Sequence, residues 1–163
     1  MQKHGIVILQ DKEQKCEELK RAFEASGEFE VLFTSTDGEE GVGQILKLDA
    51  EYCITDLILS GLDGLGVLDR LAKGGSNTKV IVYSAISREE VVETCISKGA
   101  AFYITKPCDA ITLVKRIKDL FLSEKRGAPR TVFTHLVLFP ASRQRKARKK
   151  AGVPHGRPTP GQM

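Results

Sequence analysis

At 163 residues and 41% hydrophobic, the chain has room for one domain with a real core plus a tail, and no apolar run is long enough to span a membrane. The formal charge of +4 hides a split: residues 126–163 hold nine Lys or Arg, five of the six prolines and no acid, which leaves 16 basic and 21 acidic residues in 1–125. Four cysteines (Cys16, Cys53, Cys95, Cys108) without metal-ligand spacing, and an N-terminus that begins as a strand, argue against a secreted disulfide scaffold and for a cytoplasmic protein with reduced thiols.

Strand and helix signals then alternate five times. "GIVILQ" (5–10) is a short β-branched run, as expected of a strand buried on both faces. Cys16, Leu19, Ala22 and Phe23 share one face of a helix over 12–26, stopped by Gly27. "FEVLFT" (29–34) reads as a second strand, and Asp37 can cap a helix running to 48. "YCITD" (52–56) is a third strand; Leu65, Val67, Leu68 and Leu71 mark a helix over 64–73, ended by Gly74-Gly75. "KVIVYS" (79–84) is the fourth strand, followed by a helix capped at Ser87 and stopped by Gly99. "AAFYIT" (100–105) is the fifth, and Asp109 can cap a last helix ending between Ser123 and Arg126, since Pro129 forbids its extension.

Five β-α units imply a doubly wound parallel sheet with helices on both faces, and their lengths fit the flavodoxin-like strand order 2-1-3-4-5. In such a sheet ligands bind at the carboxyl ends of the strands. Those ends carry Gln10 and Asp11, Asp56, Ser84 and Lys106. Two carboxylates, a hydroxyl and an ammonium on one rim suit phosphoryl transfer to a carboxylate. One acid attacks, a hard divalent cation offsets charge, and the ammonium and hydroxyl hold phosphoryl oxygens. No phosphate-cradling glycine motif follows a strand, and no catalytic triad is evident. Asp11 could also simply cap the helix starting near Lys12. Asp63 reads as a turn residue, and Tyr103 would belong in a strand whatever its role.

At these motifs the sequence resembles the receiver domains of bacterial two-component response regulators, over residues 3–124. "VILQD" is similar to their acidic-pair strand, and "ITDLILSGLDGLGVLDRL" to the phosphoacceptor strand and its loop. "VIVYSA" is similar to the hydroxyl switch strand, and "GAAFYITKPCD" to the Lys-Pro strand. Within that family, "LDGLGVLDRL" and "GAAFYITKP" look closest to the receivers of sporulation-initiation transcription regulators. The resemblance implies Asp56 as phosphoacceptor for a histidine kinase or phosphotransfer protein, and Mg2+ (or Mn2+) on Asp11, Asp56 and the Ile58 backbone carbonyl. It implies Ser84 as switch hydroxyl, Lys106 on the phosphoryl group with a cis bond to Pro107, and Tyr103 as an aromatic that turns inward. Residues 87–121 would form an output or homodimer face, and Gln14, Glu17, Glu18 and Arg21 a kinase-pairing face. Such a protein catalyses its own phosphorylation and switches an output such as sporulation or transcription; it is not a turnover enzyme.

Two positions depart from the pattern. Gln10 stands where the family has a second acid, so weak metal binding through Gln10 is expected. Ser60 stands where the family favours Pro, which predicts a looser loop. Gln10 also motivates an alternative, a degenerate receiver that acts as a phosphorylation-independent interaction module. A flavin-binding protein of the same fold is a weaker fit, because strand-end acids would repel the cofactor phosphate.

The tail is expected not to continue the fold. "TVFTHLVLF" reads as a strand or a short buried helix with no partner element after it, and "RQRKARKK" as a solvated block of like charge. That block can hold nucleic acid only non-specifically. Sporulation regulators carry a helical DNA-binding domain after the receiver, for which 38 residues are too few. The tail is therefore expected to be disordered or foreign to the domain, as a frameshift or truncation would make it.

Overall fold

The computed structural model describes residues 2–125 and 137–138. The elements alternate as β1 (His4–Leu9), α1 (Glu13–Ala25), β2 (Phe29–Ser35), α2 (Gly38–Leu48), β3 (Tyr52–Thr55) and α3 (Gly64–Lys73). They continue as β4 (Lys79–Ser84), α4 (Glu89–Ser97), β5 (Phe102–Thr105), α5 (Ala110–Lys125) and β6 (Val137–Leu138). The first five strands form a parallel sheet in the flavodoxin-like order β2-β1-β3-β4-β5, and β6 adds beside β5. Among the described residues no helix is long and apolar enough to cross a membrane.

The β-branched runs are buried on both faces, as their lack of alternation requires. Ile6, Ile8, Ile54, Ile81 and Ile104 meet α1 and α5; Val7, Leu9, Cys53, Val80 and Val82 lie in the opposite layer with α2, α3 and α4. Cys16, Cys53 and Cys95 are small core residues, and all four thiols are free. The sheet is pinned at the ends that matter for the site. Asp56 N–H donates to the Leu9 carbonyl (2.8 Å) and Lys106 N–H to the Ser84 carbonyl (2.9 Å).

Helix starts follow local chemistry. Asp37 accepts from Glu39 and Glu40 N–H, and Asp109 from Thr112 N–H and hydroxyl, as expected of N-caps. Asp63, expected only as a turn residue, caps α3 by accepting from Gly66 N–H (2.8 Å). Two expectations change. The N-cap of α4 is Arg88 rather than Ser87, in extended conformation and without a side-chain cap. The N-cap of α1 is Lys12, again without a side-chain cap, so Asp11 is not spent on capping.

The expectation that nothing continues the fold past α5 is corrected at one point. Val137 and Leu138, inside "TVFTHLVLF", pair in parallel with Tyr103 and Ile104 of β5. The partner is the open edge of β5, which precedes the segment in the chain. The rest of the basic tail, including "RQRKARKK", lies outside the described residues.

Candidate phosphoacceptor site

The strand register builds one rim. Leu9 pairs with Thr55, Thr55 with Val82, and Ser84 with Thr105. Each site residue is the last of its strand or follows within two positions, so Gln10, Asp11, Asp56, Ser84 and Lys106 emerge along the same edge. Asp56 is 3% exposed and Ser84 fully buried. Their burial makes the polar partners decisive, because an unpaired buried charge is costly.

Asp56 is held through both oxygens. Oδ1 accepts from Leu57 N–H (2.7 Å) and Ile58 N–H (3.3 Å). Oδ2 accepts from Lys106 Nζ (2.7 Å). The Lys106 ammonium also lies 5.0 Å from the centre of the Tyr83 ring, within cation–π range. The Tyr83 hydroxyl in turn donates to the Cys108 carbonyl (2.6 Å), just after the cis Lys106–Pro107 bond. Tyr83 and the two backbone donors are the parts that sequence reading missed. The Tyr83 signal was its place directly before Ser84, which puts its ring on the opposite face of β4.

On the other side of β4, Ser84 Oγ accepts from Ile86 N–H (3.3 Å). Tyr103 is fully buried, and its hydroxyl donates to the Ile86 carbonyl. It is thus inward in this structure. Burial pushes its phenol up to about 12, and a hydrogen bond with Ser84 pulls the other way.

The β1 side is less complete. Gln10 is fully buried; its Nε2 donates to the Leu9 carbonyl (2.8 Å), while Oε1 has no hydrogen-bond partner. Asp11 is exposed. Ile58, whose carbonyl completes the expected donor set, is 61% exposed. Among the described residues no group of three His, Cys, Asp or Glu is placed to hold a metal. The donors present are nonetheless all oxygen, two carboxylates and neutral carbonyls, and Gln10 Oε1 is a buried acceptor left over. They fit a hard divalent cation with one anionic ligand fewer than an acidic pair supplies.

The loop after β3 is tight rather than loose. Gly64 starts α3 against the site: a Cβ there would lie 2.5 Å from the Asp56 carbonyl oxygen and 2.8 Å from Leu57 Cα. Ser60 donates its N–H to the Thr36 carbonyl (2.9 Å) and accepts from Gly38 N–H (3.0 Å), bridging the loop to the β2–α2 turn. Proline has no N–H for the first bond, so the departure at Ser60 fastens the loop, contrary to expectation.

A shallow groove of about 860 Å3 runs between α1 and the start of α5. It is lined by Gln14, Glu17, Glu18 and Arg21, with Ile111 79% exposed at its side.

Residues 6–118 match the family model described as response regulator receiver domain. The chain is 30% identical over 162 residues to a protein-glutamate methylesterase/protein-glutamine glutaminase of Geobacter sulfurreducens, covering 99% of this chain and 42% of that protein. It is 26% identical over 125 residues to the transcriptional regulatory protein LiaR of Bacillus subtilis, covering 77% of this chain and 57% of that protein. It therefore spans less than two thirds of the length of either relative. Among solved structures, the CheX-CheY-BeF3-Mg+2 complex from Borrelia burgdorferi matches with a TM-score of 0.66 and 28% identity, over 72% of this chain and 89% of that one.

Proposed function

We propose that this chain, which belongs to the response regulator receiver family, accepts a phosphoryl group on Asp56 from a histidine kinase or phosphotransfer protein. The observation that carries the reading is the buried Asp56 with Lys106 Nζ at 2.7 Å. An Asp56 oxygen attacks phosphorus; the P–N bond of the donor phosphohistidine breaks, and the nitrogen keeps its electron pair and regains a proton. The product is an acyl phosphate. Lys106 moves its charge from the carboxylate to the new phosphoryl oxygens, and the Ser84 hydroxyl donates to another. The Leu57 and Ile58 N–H groups hold the carboxylate in place. Tyr103 reports the state of Ser84 through the Ile86 turn.

Asp11, Asp56, the Ile58 carbonyl and, weakly, Gln10 would hold Mg2+ (or Mn2+), which supplies positive charge against the incoming phosphoryl oxygens. The BeF3 and Mg+2 named for the Borrelia complex support that pairing of ion and site. The donor protein docks along α1, where the groove beside Ile111 supports the fit. The protein acts in the cytoplasm as a switch rather than a turnover enzyme. Residues 1–125 form the receiver, to whose sheet β6 adds from the segment that follows. For the output, support for sporulation or transcription rests on sequence resemblance. The two relatives named above are a protein-glutamate methylesterase/protein-glutamine glutaminase and a transcriptional regulatory protein. A homodimer would use the face spanning 87–121.

The test is intact mass after incubation with Mg2+ and a small phosphodonor. One phosphoryl group is expected on the wild type and none on Asp56→Asn. An unchanged mass, or a gain that survives Asp56→Asn, sinks the reading.

A second reading, an interaction module that works without phosphorylation, is favoured by Gln10 alone. It predicts that the wild type and Asp56→Asn bind the same partners equally well with and without phosphodonor.

A further inference from the structure

β5 has only four residues, and two of them, Tyr103 and Ile104, pair with β6. Without β6, β5 would be the edge of the sheet, with an open row of backbone groups. Tyr103 sits at the centre of this contact. On one side it pairs with Val82 of β4, and on the other with Val137. Its ring lies in the α2–α3–α4 layer, and its hydroxyl reaches the Ile86 carbonyl. A Tyr on an edge strand can swing its ring out past that edge. A second strand fills this exit with backbone about 4.8 Å away.

β5 also leads into the site. Lys106, the ion partner of Asp56, follows its last residue Thr105. A strand that fixes Tyr103 and Ile104 thereby limits how far Lys106 can travel from its present position. The crossover is long enough: α5 and residues 126–136 separate the two parallel strands, which need a connection of a dozen residues or more.

We propose that β6 (Val137–Leu138) is an intramolecular edge clamp, which holds Tyr103 inward and is coupled to the Asp56 site through β5. The clamp occupies the β5 portion of the 87–121 face, so this chain covers part of that face with its own backbone. The coupling is reciprocal: whatever displaces the clamp loosens Tyr103 and Lys106, and whatever moves Lys106 weakens the clamp. The clamp stands on β5 and β6; its bearing on phosphoryl transfer rests on the function proposed above.

The experiment uses the full chain with Val137→Pro and, separately, Leu138→Pro, since proline cannot donate to a ladder. Amide hydrogen exchange is followed over 102–105, with 52–55 of β3 as the internal reference. Exchange over 102–105 is expected to rise by about tenfold or more while 52–55 stays protected. Tyrosinate absorbance is the second readout, with Tyr103→Phe in each background isolating the Tyr103 share. Burial pushes that phenol to about 12 in the wild type. In the proline variants its ionisation should move down towards the ordinary value of about 10. Wild-type exchange over 102–105 together with unchanged Tyr103 ionisation overturns the clamp. If a proline variant also loses protection at 52–55, the Val137→Gly/Leu138→Gly variant decides by the same two readouts. Phosphoryl uptake by the wild type is scored separately. Its absence removes the proposed function and leaves the clamp standing or falling on exchange.

Discussion

The two sides of the rim are built to different standards. On the β4–β5 side the charged and switch groups have partners, Lys106 on Asp56 and over Tyr83, Ser84 on Ile86, Tyr103 on the Ile86 carbonyl, and only the Thr105 hydroxyl among the described residues there is buried without one. On the β1 side Gln10 Oε1 is buried without a partner and Asp11 is exposed. The difference separates two tasks that a phosphoacceptor site must perform. On the proposed function, the ammonium and hydroxyl that would hold phosphoryl oxygens are in place in advance, and the acids that would collect charge for a cation are one carboxylate short. A site made this way should bind the phosphoryl group well and the metal ion weakly.

The largest expected effect breaks the prepared side. Lys106→Met strips the buried Asp56 carboxylate of its ion partner, leaving only two backbone donors. A loss of about 3 kcal/mol in urea unfolding is expected. If stability is unchanged, the pair contributes nothing net, and the two sides are alike.

A smaller loss is expected where α3 starts against the site. Gly64→Ala puts a methyl within 2.5 Å of the Asp56 carbonyl oxygen, where the obstacle is backbone and cannot swing away. The cost should be about 2 kcal/mol by the same measurement, with slower phosphoryl uptake as Asp56 shifts. Unaltered stability would show that the loop yields freely.

The smallest effect sharpens the picture of the loop itself. Ser60→Pro installs the residue the family favours but removes the N–H that donates to Thr36. The lost bond costs about 1 kcal/mol, partly offset by the stiffer unfolded chain. A net loss of about 0.5 kcal/mol is expected in urea unfolding; a clear gain would mean that the Thr36 bond contributes little.

Much of this was legible in the sequence, because the signals were local and repeated. Short β-branched runs between amphipathic helices dictate a parallel sheet, and a parallel sheet places its strand-end polar residues on one rim. Asp56, Ser84 and Lys106 followed from that alone. What escaped depended on contacts between distant segments. The role of Ser60 lies in its backbone N–H, which every residue but proline has, and its acceptor lies 24 residues earlier at Thr36. The β6 pairing was hidden because "TVFTHLVLF" is equally apolar as helix or strand, and its partner precedes it in the chain. The alternative reading of Asp11 as a cap fails because α1 starts one residue later, with Lys12 at its N-cap. The orphaned oxygen of Gln10 follows from its amide nitrogen being taken by the Leu9 carbonyl, a side-chain choice that no pattern records.

On the proposed function the β1 side limits this site, and the Mg2+ dependence of phosphoryl uptake on Asp56, followed by intact mass in the wild type and in Gln10→Asp, reads that limit. Restoring the acid adds an anionic ligand beside Asp11, so half-maximal uptake should need about tenfold less Mg2+ in the variant. Superimposable Mg2+ curves for the two proteins would show that the missing acid does not limit the site.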